Sequence, residues 1–160
     1  MDLSLFITNE GMDKIQRRIQ YLMAEERPEV IKALMIAREF GDLSENAEYK
    51  AAREKQRQID HEIDHLRRRA AHLKVVDISA IPRDKVRFGS ICHTQDQDTG
   101  EEICYQVVGV DELNFYDREG VQPVSVLSPI GKALLGKQTG EMALVKAPMG
   151  ERQLRVVEIL

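Results

Sequence analysis

Two carboxylates three residues apart, Asp42 and Glu45, fall in the polar break between two long helical repeats, with Glu48 three residues further on. Carboxylate oxygens suit hard divalent cations, and Mg²⁺ is commonly held by one or two of them while keeping several waters. A pair at an exposed apex leaves most of a coordination shell open, so it fits an ion that a partner already holds in part. A helix cap accounts for the same spacing. A polar residue followed three later by Glu has the geometry of a capping box, with Asp42 as the cap. Spacing alone leaves both readings open.

The other chemistry-bearing residues carry weaker signals. Arg67-Arg68-Arg69 is the densest basic run, preceded by Asp60, Glu62 and Asp64, which is also the pattern of a solvated helix face. His61 and His65 are one helical turn apart but lack a third ligand for a metal. Cys92 and Cys104 form no CxxC, and a hairpin turning at Gln97–Gly100 would put them on neighbouring strands, where they could face each other. They read as small half-buried residues rather than a redox pair.

The segment that positions the carboxylates is helical on both sides. Met12, Ile15, Ile19 and Leu22, then Ala33, Ile36 and Phe40, step mostly by three and four. A second stripe, Tyr49, Ala52, Gln56, Ile59, Ile63, Leu66, Ala70 and Leu73, alternates three and four throughout. Heptad spacing of this kind makes a coiled-coil seam, and two such stripes predict an antiparallel hairpin. Thr8 is the expected N-cap and Gly41 the expected terminator of the first arm. Arms of about 30 residues would each reach about 45 Å, so the apex would act on something outside this chain. Pro28 removes a backbone donor inside the first arm and should bend or interrupt it.

Beyond Leu73 the pattern shortens to segments rich in Val and Ile: Val86–His93, Glu102–Val110, Val121–Leu127, Glu141–Ala147 and Gln153–Ile159. One helix is expected among them, with Ser128 as N-cap, Pro129 at the first position and Gly136 as terminator. The fold class is therefore α+β. Residues 1–77 form the helical hairpin, 78–84 a linker, and 85–160 a small, mostly antiparallel β-sheet domain with one helix.

Net charge is −4 over 160 residues, with 14 basic and 15 acidic residues up to Ile78 and 9 and 12 after it. Neither half has the cationic surplus that neutralises duplex DNA, so autonomous duplex binding is not expected. No apolar run approaches the roughly 20 residues needed to span a bilayer. The N-terminal residues lack the features of a secretory signal, so a cytoplasmic protein is expected.

The stretch GDLSENAEY, Gly41 to Tyr49, resembles the signature loop of the Gre family of bacterial transcript-cleavage factors. The flanking Ala37-Arg38-Glu39 and Ala51–Gln56 are similar too, as are Glu26–Val30 and SPIGKALLGK, Ser128 to Lys137. Nearly the whole chain is covered in order. The resemblance implies that the C-terminal domain is FKBP-like and docks at the rim of the RNA polymerase secondary channel, with Ser128 and Pro129 in the docking surface. It implies that the hairpin enters the channel and that Asp42 and Glu45 help hold the second Mg²⁺ of the polymerase. They would thereby stimulate the polymerase's own cleavage of backtracked RNA, and the factor would have no cofactor or catalysis of its own. Arg67, Arg68 and Arg69 become candidates for contacting the 3′ region of the extruded RNA, and Asn46 and Tyr49 are assigned support of the tip.

Leu43 and Glu48 resemble the GreA-type loop, whereas Glu25–Pro28 and the arginine run lean toward the GreB type. Leu127 departs from the polar residue frequent before this Ser-Pro. Three rivals remain: an anti-cleavage factor of the same architecture, a coiled-coil adaptor with a merely capped tip, and a prolyl isomerase. The last needs an aromatic-lined pocket, yet the chain has no Trp and its C-terminal half offers only Phe88, Tyr105, Phe115 and Tyr116.

Overall fold

The computed structural model describes residues 2–41 and 46–160; Met1 and residues 42–45, Asp42 and Glu45 among them, lie outside the described residues. The chain forms two compact units, residues 13–72 and residues 1–12 with 73–160.

In the first unit, helix α1 (Asn9–Tyr21) runs into a π-helical turn (Leu22–Glu26) and then α2 (Arg27–Arg38), which packs against α3 (Ala47–His72). Ile15, Ile19, Leu22, Val30, Leu34 and Ala37 are buried on the first arm, and Ile59, Ile63 and Leu66 on the second. Each fully buried Ile or Leu contributes about 1.5–3 kcal/mol by leaving water. The second stripe stands as its spacing predicts along α3, where Tyr49, Ala52, Gln56 and Ala70 are half-buried beside those three; its last member, Leu73, lies past the end of the helix and in the other unit.

On the first arm the expected stripe holds only up to Leu22. Ala33 is exposed, Ile36 is 48% exposed and Phe40 72%, while Val30, Leu34 and Ala37 take the interior. The π turn explains the change. Pro28 has no N–H to donate to the Ala24 carbonyl, and the N–H of Arg27 reaches back five residues to the Leu22 carbonyl. A π turn takes up one extra residue, so the seam reappears one position later, at 34 and 37 instead of 33 and 36. Pro28 therefore neither ends the arm nor leaves its phase intact.

Cross-arm ion pairs flank the seam. Arg18 donates to both oxygens of Glu62 at 2.8 and 3.2 Å, and Arg27 to Asp60 at 2.8 Å. The Glu62 hydrogen bond raises the Arg18 pKa further above its ordinary value.

The other unit contains a five-stranded sheet ordered β5-β4-β3-β7-β6. Its strands are β3 (Ile91–Asp96), β4 (Glu102–Val108), β5 (Gln122–Ser125), β6 (Met142–Ala147) and β7 (Gly150–Ile159). All pairings are antiparallel except β4 with β5, whose Tyr105 aligns with Gln122. Helix α4 (Pro129–Leu134) packs on β6, and the core includes Val86, Tyr105, Val107, Leu134, Val145 and Val156. The segment from Val86 expected as strand instead turns at Phe88-Gly89, and the strand begins at Ile91.

The first twelve residues, placed with the hairpin in the sequence reading, cluster with this sheet unit. Strand β1 (Phe6–Thr8) pairs in parallel with β2 (Lys74–Val76), and the Phe6 ring meets the Phe88 ring edge-on at 5.5 Å. Glu112 is 3% exposed, and its carboxylate accepts from the Thr8 N–H at 2.9 Å, the Thr8 hydroxyl and the Gly109 N–H at 2.9 Å. Thr8 in turn caps α1, its hydroxyl oxygen accepting from the Gly11 N–H at 3.0 Å. Gly109 has no substitute here, since a Cβ would lie 2.1 Å from the Phe6 carbonyl oxygen.

Cys92 and Cys104 lie on paired strands but on opposite faces. Cys92 aligns with buried Tyr105, and Cys104 with exposed His93, so strand alternation separates them. Both are free thiols; burial, and secondarily Cys104, pushes the Cys92 pKa up to about 12, and burial also raises that of Cys104. Neither favours the reactive thiolate.

Two outcomes are expected. Glu112→Ala would leave the Thr8 and Gly109 donors without their acceptor, and the unfolding free energy in a denaturant titration should fall by roughly 3 kcal/mol; no measurable change would mean these hydrogen bonds contribute nothing. The Asp96 carboxylate accepts from the Asp98 and Thr99 N–H groups and from Arg152, and the Asp98 bond leads in holding its pKa below 3.8. That contribution is present above the unfolded pKa and lost as pH falls through the lower folded one. Asp96→Asn should therefore flatten the acid limb of a thermal-stability profile below about pH 4.

Candidate functional site

The described residues on either side of the apex show how it is held. Helix α2 tightens at its end: the Glu39 N–H donates to the Ile36 carbonyl at 3.1 Å and the Phe40 N–H to the Ala37 carbonyl at 3.2 Å. Gly41 follows with φ +109°, a conformation that side chains resist, and no described atom lies within 4 Å of where a Cβ would sit. The expected terminator is thus in place.

Helix α3 is capped by Asn46. Its Oδ1 accepts from the Tyr49 N–H at 3.0 Å, the N-cap to N3 bond, and its carbonyl receives the Lys50 N–H at 3.1 Å. Its Nδ2 donates to the Ala37 carbonyl at 2.6 Å, so one side chain joins the end of α2 to the start of α3. Beside it the Arg38 guanidinium lies 5.8 Å from the centre of the Tyr49 ring, within cation–π range.

Helix α3 starts at Ala47 and its cap is Asn46. Asp42 and Glu45 themselves lie outside the described residues. Glu48 is exposed in the first turn of α3, where the helix dipole favours negative charge. Sequence reasoning assigned Asn46 only support; the signal for its capping role was its position just before the continuous heptad stripe.

The arginine run divides. Successive residues on α3 are turned by about 100°. Arg67 approaches the Met23 sulfur at 2.8 Å, Arg68 pairs with Asp64 at 2.9 Å, and Arg69 is half-buried. Arg67 also lines a groove of about 410 Å³ with Met23, Arg27, Asp60, Ile63 and Asp64. Two cations and two anions share that groove, so it is charge-balanced. Arg27, which the sequence did not single out, joins it through the π turn.

In the sheet unit, Ser128 caps α4 by accepting from the Gly131 N–H at 3.1 Å, while its hydroxyl donates to the Ser125 carbonyl at 2.7 Å. Pro129 occupies the first position, and Gly136, φ +82°, follows the end. Ser128 and Pro129 border a cleft of about 390 Å³ whose walls include Leu113, Val124, Ile130, Val145 and Arg152. No described residue lining this cleft is aromatic. Leu127 beside it is 42% exposed.

Among the described residues no group of three or more His, Cys, Asp or Glu side chains could hold a metal. No described helix is long and apolar enough to cross a membrane.

Residues 5–75 match the family model "Transcription elongation factor, N-terminal", and residues 81–160 match "Transcription elongation factor, GreA/GreB, C-term". Over 154 residues the chain is 42% identical to transcription elongation factor GreA of Alkalilimnicola ehrlichii, covering 96% of this chain and 95% of that one. It is 40% identical over 154 residues to GreA of Thioalkalivibrio sulfidiphilus, again covering 96% and 95%. A solved structure, the GreA factor homolog 1 (Gfh1) protein of Thermus thermophilus, is 27% identical, with 98% of each chain covered and a TM-score of 0.43. The chain belongs to the GreA/GreB family of transcription elongation factors.

Without aromatic walls the cleft lacks what prolyl isomerisation requires. The full-length protein is expected to leave the cis–trans relaxation of a proline-containing peptide at its uncatalysed rate, tens to hundreds of seconds at 25 °C; acceleration would restore that rival.

Proposed function

We propose that this elongation factor acts on bacterial RNA polymerase in the cytoplasm by placing its helical hairpin in the secondary channel, where it stimulates cleavage of backtracked RNA. Catalysis belongs to the polymerase, and the factor is not itself a nuclease. Full-length similarity to proteins named GreA supports the GreA-type reading. One observation supports the assignment of the carboxylates: α3 is capped by Asn46, so it does not require Asp42 as its cap.

Both residues supply hard oxygen donors of the type Mg²⁺ takes, and two of them suit a shell completed by the polymerase and water. Mg²⁺ in a two-metal site stabilises the attacking and leaving oxygens of an in-line displacement. Asp42 and Glu45 would hold that ion from the factor's side, and it would supply charge stabilisation at the scissile phosphate and help orient the attacking water. Their negative charge would repel the RNA backbone directly, which fits a role through a cation. Ser128 and Pro129, bordering the apolar cleft, contribute to docking at the channel rim. Arg67, Arg68 and Arg69 contact the extruded 3′ RNA. Arg68 is available despite its Asp64 partner, because exposed i,i+4 pairs contribute only about 0.3–0.5 kcal/mol.

The test uses stalled, backtracked elongation complexes with labelled 3′ regions. Wild type with Mg²⁺ should release short 3′ fragments. Asp42→Ala/Glu45→Ala should bind polymerase equally but cleave about a hundredfold more slowly, the scale for loss of a charge-stabilising group. A wild-type protein that binds without accelerating cleavage would instead be an inhibitor or adaptor on this scaffold.

A further inference from the structure

We propose that Asn46 is a positioning residue for the cleavage-stimulating tip: its side chain sets the spacing of the two chain ends from which the Asp42/Glu45 segment emerges. The inference rests on the functional reading above and adds a residue to it.

The geometry gives Asn46 two separable functions. Through Oδ1 it caps α3 at Tyr49, and through Nδ2 it ties α3 to the Ala37 carbonyl at 2.6 Å. Capping needs only an acceptor, which Ser and Asp supply as well as Asn does. The bridge needs a donor at the far end of a planar amide, which Asp lacks and Ser is too short to offer.

Placement makes the bridge more than a cap. Ala37 is 3% exposed, the last buried member of the first-arm seam, and its carbonyl accepts the Asn46 amide at 2.6 Å in addition to the Phe40 N–H at 3.2 Å. A buried point on one arm, Ala37, is therefore joined directly to the N-cap of the other, Asn46. Arg38 against Tyr49 adds a second crossing at the same level. Packing along the seam already keeps the arms together. The distance and rotation between the two loop ends are what the bridge adds. Carboxylates that must complete a coordination shell supplied by another protein are sensitive to such offsets, and a misplacement of about 1 Å can lower a rate on the order of a hundredfold.

The experiment compares wild type, Asn46→Ser, Asn46→Asp and Asp42→Ala/Glu45→Ala in the same backtracked complexes. It measures cleavage against Mg²⁺ concentration, polymerase binding by competition, and thermal stability. Asn46→Ser and Asn46→Asp should keep wild-type melting and binding, because the cap survives. At limiting Mg²⁺ each should cleave about tenfold more slowly, with half-saturation shifted to higher Mg²⁺ and the rate of Asn46→Ser partly restored at saturation. Asn46→Ser controls for the charge that Asn46→Asp introduces.

Cleavage by both variants within twofold of wild type at limiting Mg²⁺ would overturn the inference. So would a cleavage loss that follows lost melting temperature or lost binding, since capping alone would explain it. If wild type stimulates and Asp42→Ala/Glu45→Ala does not, the functional reading stands whatever the Asn46 variants do. A wild type that fails to stimulate overturns both.

Discussion

Two packed helices share a single seam in which to bury apolar surface, and a hairpin built this way stays in register only if each arm keeps its apolar phase along that seam. The second arm does so without interruption from Tyr49 to Ala70. The first arm must pass Pro28, which removes the donor for Ala24, and it does so with a π turn that delays the seam by one residue. Val30, Leu34 and Ala37 then face inward, while Ile36 and Phe40 are exposed. The same turn brings Met23 and Arg27 to the groove shared with Arg67 and Asp60.

The seam ends where the proposed chemistry begins. Ala37 is its last buried residue on the first arm, and the Ala37 carbonyl receives the Asn46 amide that also caps the second arm. A one-residue change of phase at Pro28 thus decides which backbone carbonyl is presented to Asn46. Asn46 and Tyr49, which belong to the Gre-like stretch, do local structural work at the start of α3.

In the sheet unit the corresponding constraint is a buried carboxylate. Glu112 accepts from Thr8 and Gly109, and Thr8 passes the connection to the first turn of α1. Acceptors so far apart in sequence are cheap to bury only when every donor is matched. Gly109 allows the Phe6 backbone the close approach that the arrangement needs.

Much of the protein was legible in its residues. Heptad spacing over Tyr49–Leu73, the Ser128-Pro129 helix start, the glycine terminators and the alternating Val and Ile segments each reflect a local period or a local backbone requirement, and those are written residue by residue. The nine-residue stretch Gly41 to Tyr49 was the most specific part of a family resemblance that ran along nearly the whole chain. Other features depended on groups distant in sequence. The inward face of α2 followed from where the π turn placed its extra residue. The attachment of Phe6–Thr8 to the sheet unit followed from Glu112, more than a hundred residues away, and the opposite faces of Cys92 and Cys104 from strand register. The bridge from the Asn46 amide to the Ala37 carbonyl was not legible in the residues, because a hydrogen bond between arms exists only once the arms are packed.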